Sequence, residues 1–313
     1  MFRQPELVIQ NMRTCTEHIR QRLQRVQFGT GRRWEIPSVL LTHDGRGLWL
    51  DSAGSFWRAI SFIEGSQSFD TIRDIRHACE VGFALGIFHT LLNDLPPDRL
   101  SDTLKGFHIT PLYLRHYREV LAKHNVANSA EVKYCLQFIS ERDVWAHILE
   151  NAKEKGKLRL HPIHGDPKVN NIMIETATGQ AISIVDLDTV KPGLIHYDIG
   201  DCLRSGCNTL GEETEQLEKV HFDPDLCKAI LQGYLSIARE FLTENDFYYI
   251  YDSIRLIAFE LGLRFFTDYL EGNVYFKVRH PEHNLARALV QFKLTESIES
   301  QEKAIRKIIQ EIR

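Results

Sequence analysis

The sequence predicts an α+β chain: a small lobe containing β-strands, followed by a larger, mostly helical lobe. Three observations carry this reading. Strand signals crowd into the stretch before Glu64. After Glu64 apolar residues recur at helical spacing. The one interruption runs from Pro162 to Thr189, where short apolar runs are separated by turn residues.

The elements follow in order. From Pro5 to Arg25, Leu7, Val8, Met12, Cys15, Ile19 and Leu23 recur on one face, with Arg, Gln and Glu between them, which predicts an amphipathic helix. Val39–Thr42 and Gly47–Leu50 flank His43-Asp44-Gly45-Arg46, and Asp-Gly between apolar runs predicts a hairpin. Phe56–Ile63 reads as a further strand, ended by Glu64-Gly65-Ser66. Helices are predicted over 70–92, 110–123, 129–152, 224–242, 244–270 and 284–311. The exceptional segment reads loop, strand (Ile172–Glu175), turn (Thr178-Gly179), strand (Ala181–Val185), loop. Tyr197-Asp198-Ile199-Gly200-Asp201 opens another helix. The change near Glu64 divides the chain into an N-terminal lobe over 1–64, with a hinge at 61–64, and a helical C-terminal lobe over 65–313.

A chain of 313 residues that is 43% hydrophobic and 26% charged has the composition of an ordinary globular protein. A net charge of −4 gives no reason to expect a nucleic-acid or membrane partner. The six cysteines form no CxxC pair, so a zinc ribbon is not expected. No signal peptide and no apolar run of membrane-spanning length is visible, and the expected location is cytoplasmic.

The chemistry concentrates in His164-Gly165-Asp166-Pro167-Lys168-Val169-Asn170-Asn171 and in Ile184-Val185-Asp186-Leu187-Asp188-Thr189. An Asp is followed five residues later by an Asn, and then by an Asp at the end of an apolar strand. This is the order of parts that phosphoryl transfer needs. Asp166 lies in a loop stiffened by Gly165 and Pro167. Alone it reads as a turn residue capping amides, and the downstream spacing makes it the candidate base. Asn171 and Asp186 offer oxygen to Mg²⁺, a hard cation. Asp188 either contacts metal or substrate or fixes its loop. Lys168 either balances the charge of a transferring phosphoryl group or is a surface lysine. A hydrolase-like metal cluster of His161, His164 and Asp166 lacks a further His ligand, so His164 is read as a hydrogen-bonding support of the loop. Asp198, near a helix start, is read as the anchor of that loop.

On these residues the chain resembles the aminoglycoside phosphotransferase and choline kinase-like superfamily, through HGDxxxxN and the strand-end Asp186. Within it the chain resembles the N-acetylhexosamine 1-kinase branch. That likeness rests on Val185–Gly193 with Tyr197–Asp201, on Phe62-Ile63-Glu64-Gly65, and on Arg264–Phe276 with His283-Asn284-Leu285. The resemblance implies a protein kinase-like two-lobe fold and ATP-dependent transfer to a sugar hydroxyl. Asp166 is then the base, and Asn171 and Asp186 are the Mg²⁺ ligands. It implies adenine binding at the hinge residues Ser61, Phe62, Ile63 and Glu64. In the branch the acceptor is the anomeric hydroxyl of an N-acetylhexosamine, with Arg264 and Tyr275 either on the sugar side or in a structural network.

One departure shapes the expectation. Such kinases begin with a glycine-containing strand-turn-strand over the phosphates, whereas Met1-Phe2-Arg3 stands just before the first helix. Gly29-Thr30-Gly31 follows a helix rather than a strand and is no substitute. Glu17 lies where a glutamate would meet a strand lysine, but no candidate lysine precedes it. The N-lobe is therefore expected to be shortened. Two alternatives stay open: a kinase-like protein that binds with weak or no catalysis, and a phosphotransferase for an aminoglycoside or choline-like acceptor. The expected partners are a nucleotide and a small-molecule substrate.

Overall fold

The computed structural model describes residues 4–24, 31–123 and 128–313. Gly29-Thr30, Met1-Phe2-Arg3 and the helix end expected at Arg25 lie outside them. The fold is α+β, with short strands first and helices after, as the sequence predicts.

Helix α1 (Pro5–Leu23) starts with Pro at its first position, where a missing N–H costs nothing. It buries Val8, Met12, Cys15 and Ile19. Four strands of two residues follow: β1 (Val39–Leu40), β2 (Trp49–Leu50), β3 (Phe56–Trp57) and β4 (Ala59–Ile60). The expected Asp44-Gly45 turn forms. Thr42 N donates to Arg46 O at 2.8 Å, and Gly45 takes φ +79°. The expected hairpin does not extend from it, because β1 pairs with β4 and β2 with β3. A second turn captures β2: the Asp51 carboxylate accepts from Ala53 N, Ser55 N and Trp57 Nε1 at 2.9, 2.8 and 2.7 Å. The single strand expected over 56–63 therefore breaks at Arg58. Leu40, Trp49, Leu50, Phe56 and Trp57 remain about half exposed on this small lobe.

The larger lobe opens with α2 (Ile75–Leu92), which begins later than position 70 because Asp74 caps it, accepting from His77 N at 2.8 Å. Helix α3 (Thr110–Lys123) spans the expected residues. The helix expected over 129–152 divides into α4 (Ala130–Arg142), a 3₁₀ stretch (Asp143–His147) and α5 (Ile148–Glu154). After them come β6 (His161–Ile163), β7 (Ile172–Glu175), β8 (Ala181–Ile184) and β9 (Lys191–Gly193). Then follow α6 (Ile195–Gly206), α7 (Pro224–Ala238), α8 (Glu244–Leu270), α9 (His283–Ser300) and α10 (Glu302–Ile312). A strand the sequence reading omits, β5 (Ser66–Gln67), pairs with β7 and ties the hinge region to the β7–β8 hairpin. The pair β6–β9, also omitted, sets Ile163 opposite Lys191.

Helices α2 and α7 pack backbone to backbone. A Cβ on Gly82 would lie 1.8 Å from Ile230 O, and one on Gly233 would lie 1.9 Å from Cys79 O. Only glycine fits at either point. Helix α8 carries a capping box in which Thr243 and Asp246 satisfy each other's backbone amides. Among the described residues, no helix is long and apolar enough to cross a membrane.

Candidate active site

Strands β6 and β9 lie side by side, so the loop leaving β6 and the loop entering β9 meet. The first carries His164, Gly165 and Asp166. The second carries Asp186 and Asp188. Each is fixed by side-chain-to-backbone hydrogen bonds that cross to the other. Thr189 Oγ1 donates to His164 O at 2.6 Å, and His164 Nε2 donates to Val185 O at 2.8 Å. Val185 N donates to Asn171 O at 2.9 Å, which sets Asn171 beside the strand end that leads to Asp186. Gly165 takes φ +85°, and a Cβ there would lie 2.9 Å from Thr189 O, so the loop needs glycine. His164 Nδ1 accepts from Asp166 N at 3.2 Å. Both nitrogens of His164 are thus taken, which leaves none for a metal.

Beneath the loop sits Asp198, fully buried in α6. Its carboxylate accepts from His164 N at 2.7 Å, Gly165 N at 2.8 Å and His89 Nε2 at 2.9 Å. Tyr234 OH donates to His89 Nδ1 at 3.0 Å and extends the chain into α7. Burial works against the charge of Asp198, but the hydrogen bonds from His89 and the loop outweigh it and hold the carboxyl below its usual range.

A second brace gave no signal in the sequence. His108 Nε2 donates to Gly165 O at 2.8 Å, and its Nδ1 donates to Glu260 Oε1 at 2.9 Å. Thr110 Oγ1 also donates to Glu260, at 2.6 Å. Both nitrogens of His108 face acceptors. Burial opposes its charge, but Glu260 and Gly165 raise its pKa above the usual histidine value.

Asp166 projects into a cavity of about 380 Å³ whose walls include Lys168, Asp201, Arg204, Glu260, Arg264 and Tyr275. Of the residues singled out in the sequence, Asp166, Lys168, Arg264 and Tyr275 therefore share one cavity. Lys168 Nζ lies 2.8 Å from Asp166 Oδ2. Burial, and then the Asp201 carboxylate, push Asp166 above its ordinary range despite Lys168. Burial opposes the Lys168 charge, yet Asp166 and Asp201 raise its pKa. The acidic walls are internally paired. Asp201 and Glu212 hold Arg204 at 2.8 and 2.6 Å, and Glu260 holds His108. Arg264 differs. Its guanidinium stands over the rings of Phe107, Tyr113 and Phe276, 5.2, 5.0 and 5.5 Å from their centroids. No carboxylate pairs with it among the described residues.

Asp186 is exposed at the end of β8, in a left-handed conformation with φ 63° that few non-glycine residues adopt. Its carboxylate has no partner among the described residues. Asn171 Nδ2 donates to Asp166 O at 2.7 Å, which leaves Asn171 Oδ1 as a bare acceptor. Asp188 is engaged: it forms an ion pair with Arg58, which reaches over from between β3 and β4. Arg58 gave no signal in the sequence. Asn11 of α1 holds the far end of this loop, donating to Val190 O at 2.9 Å and Ser101 O at 2.8 Å.

The hinge residues lie apart from the Asp166 cavity. Ser61 N donates to Ser38 O at 2.9 Å, and Ser61 Oγ accepts from Ser38 N at 2.8 Å. Phe62 is 80% exposed while Ile63 is buried. Glu64 O accepts from Arg33 Nη1 at 2.9 Å. Among the described residues, the backbone N–H groups of Phe62, Ile63 and Glu64 have no partner.

A His-Gly-Asp loop, an Asn five residues on and a strand-end Asp thus meet on a two-lobe α+β frame, the arrangement of a phosphotransferase of kinase-like fold. Residues 11–238 match the model of the phosphotransferase enzyme family, and the chain belongs to that family. Solved structures similar in fold include a choline kinase from Cryptosporidium parvum, at 16% identity and a TM-score of 0.54, covering 88% of this chain and 75% of that one. A microcompartment-associated aminopropanol kinase matches at 15% identity and 0.57, covering 93% and 82%. An aminoglycoside phosphotransferase from Alicyclobacillus acidocaldarius matches at 15% and 0.56, covering 97% and 84%.

Proposed function

We propose that the protein transfers the γ-phosphoryl group of ATP to the anomeric hydroxyl of an N-acetylhexosamine, with Mg²⁺. The observation that carries the choice of acceptor is the charge state of the cavity in front of Asp166. Its carboxylates are already paired, and the cation left without a carboxylate among the described residues is Arg264. A cationic aminoglycoside or choline-like acceptor would meet that guanidinium as a like charge. A neutral sugar with an amide carbonyl offers it an acceptor oxygen.

On this reading each residue takes a role that its surroundings support. Asp166 orients the sugar hydroxyl and takes its proton, and its raised pKa suits a base that must hold a proton late in transfer. Lys168, at 2.8 Å from Asp166, supplies positive charge where the phosphoryl group passes. Asn171 Oδ1 and the Asp186 carboxylate are free oxygen donors, which suits Mg²⁺. Bound there, the ion would neutralise nucleotide phosphate charge. Asp188 would join them only by giving up Arg58. The open amides of Phe62, Ile63 and Glu64 offer adenine its edge contacts, with Ser61 fixing the strand behind them.

A second reading, binding without transfer, is favoured by the small lobe, whose strands are two residues each and give a thin cover for phosphates. The deciding experiment follows ADP release from ATP and Mg²⁺ over a panel of hexosamines. The expected result is release that requires an N-acetylhexosamine and falls by about 10²–10⁴ in kcat for Asp166→Asn. Binding without release supports the second reading. Near-normal turnover of the variant removes Asp166 from its role.

A further inference from the structure

The cavity at Asp166 does not stand alone. A second one, of about 390 Å³, adjoins it. The two share Leu104, Phe107, Arg264, Tyr275 and Phe276, so they adjoin along those side chains. Each volume is enough for a small ligand. We propose, resting on the sugar reading above, that the acceptor is a disaccharide whose reducing-end N-acetylhexosamine sits at Asp166 and whose second ring fills the second chamber.

Three observations support a sugar ring there. The chamber is walled by the rings of Phe107, Tyr113, Tyr275 and Phe276, surfaces that suit the C–H face of a pyranose. His116 and Glu271 also line this chamber; His116 Nε2 donates to Glu271 Oε2 at 3.1 Å, which leaves His116 Nδ1 and the second Glu271 oxygen as acceptors for ring hydroxyls. At the junction Arg264 has no carboxylate partner among the described residues, so its N–H groups are open to a carbonyl or a bridging oxygen.

The backbone along this junction is also held in place. Tyr275 N and Phe276 N donate to Asp268 at 2.7 and 2.9 Å. Asn284 Nδ2 donates to the same carboxylate at 2.8 Å. Asp268 is buried, so this loop position is held before any ligand arrives. Pre-organisation of this kind favours a ligand that spans both chambers.

The reaction is unchanged by the added ring. The bond from the γ-phosphorus to the ADP oxygen breaks, and a bond to O1 of the reducing-end sugar forms. The O1 proton passes to Asp166. The product is a disaccharide 1-phosphate.

The test compares kcat/KM for free N-acetylhexosamines with that for disaccharides carrying the same unit at the reducing end, with phosphorus NMR locating the phosphate. The expected result is at least a tenfold advantage for a disaccharide, expressed mainly in KM. Tyr113→Ala and His116→Ala should each lower the disaccharide-to-monosaccharide ratio by about threefold or more. His116 is half exposed, so its variant reports even where Tyr113→Ala disturbs folding. Monosaccharide turnover with no disaccharide preference, or a preference indifferent to His116→Ala, overturns the extended acceptor and leaves the sugar reading standing. No turnover of either class overturns both.

Discussion

Asp198→Asn is the substitution that tests the architecture of the site most directly. Asp198 never reaches the cavity, yet its two oxygens take three buried donors. His164 N and His89 Nε2 share Oδ2, and Gly165 N takes Oδ1. An asparagine that keeps its oxygen on the shared side turns its NH₂ toward Gly165 N–H. One bond is lost and two donors then face each other, at a cost of about 2–3 kcal/mol. Asp198→Ala leaves all three donors without a partner, at about 1–3 kcal/mol each, or about 3–9 kcal/mol in total before relaxation. The activity consequence is separate. Gly165 N is one bond network away from Asp166, and a shift of about 1 Å in the base costs about 10²-fold in kcat. Urea unfolding should show the loss at unchanged m, with the Asn variant intermediate between wild type and Ala. ADP release should fall in kcat with the nucleotide KM nearly constant. An Asn variant within about 0.5 kcal/mol of wild type, with normal kcat, would refute the reasoning, because the ordinary surface range would then contain the change.

Two further outcomes follow. In the proposed site Arg58 would compete with Mg²⁺ for Asp188, and a partly exposed pair of this kind is worth about 0.5–1 kcal/mol. Arg58→Ala should therefore lower the Mg²⁺ concentration for half-maximal turnover about two- to fivefold, and an unchanged value would make Asp188 a loop-fixing carboxylate. His161 is pushed down to about 4 by burial. The unfolded chain protonates it near 6.5, so the unfolded state binds more protons between those values and stability must fall as pH drops from about 6.5 toward 4. Discounted for partial exposure, the loss is about 1–2 kcal/mol. Thermal melts of His161→Phe should show a flatter acid limb than wild type.

Elements whose ends are written locally were legible. Helix α8 begins at Thr243 because that residue and Asp246 cap each other, and the cap lies within four residues of sequence. The strands were less legible because pairing is a choice between partners. Nothing near Asp44-Gly45 states that β2 will turn to β3. Strands β6 and β9 are three residues long, with Pro162 facing Pro192, and neither resembles a strand by alternation. The neighbourhood of Asp166, Asn171 and Asp186 was readable because these residues sit close in the chain. Arg58 at Asp188, Asn11 at Val190 and Glu260 at His108 were not, since each contact joins distant residues and no periodicity announces it.

The glycine crossing of α2 and α7 bears on the order in which the molecule assembles. His89 comes from α2 and Tyr234 from α7, and both belong to the chain of hydrogen bonds that ends on the His164–Asp166 loop. The crossing itself needs Gly82 at Ile230 and Gly233 at Cys79, contacts that close a very long stretch of polypeptide. Such closures are paid in entropy before they are rewarded and tend to come late and slowly. During synthesis the loop emerges well before α7 does. A nascent chain therefore holds its Asp166 loop in full sequence but without its support, and active-site order should arrive with the last long-range contact rather than with the motif.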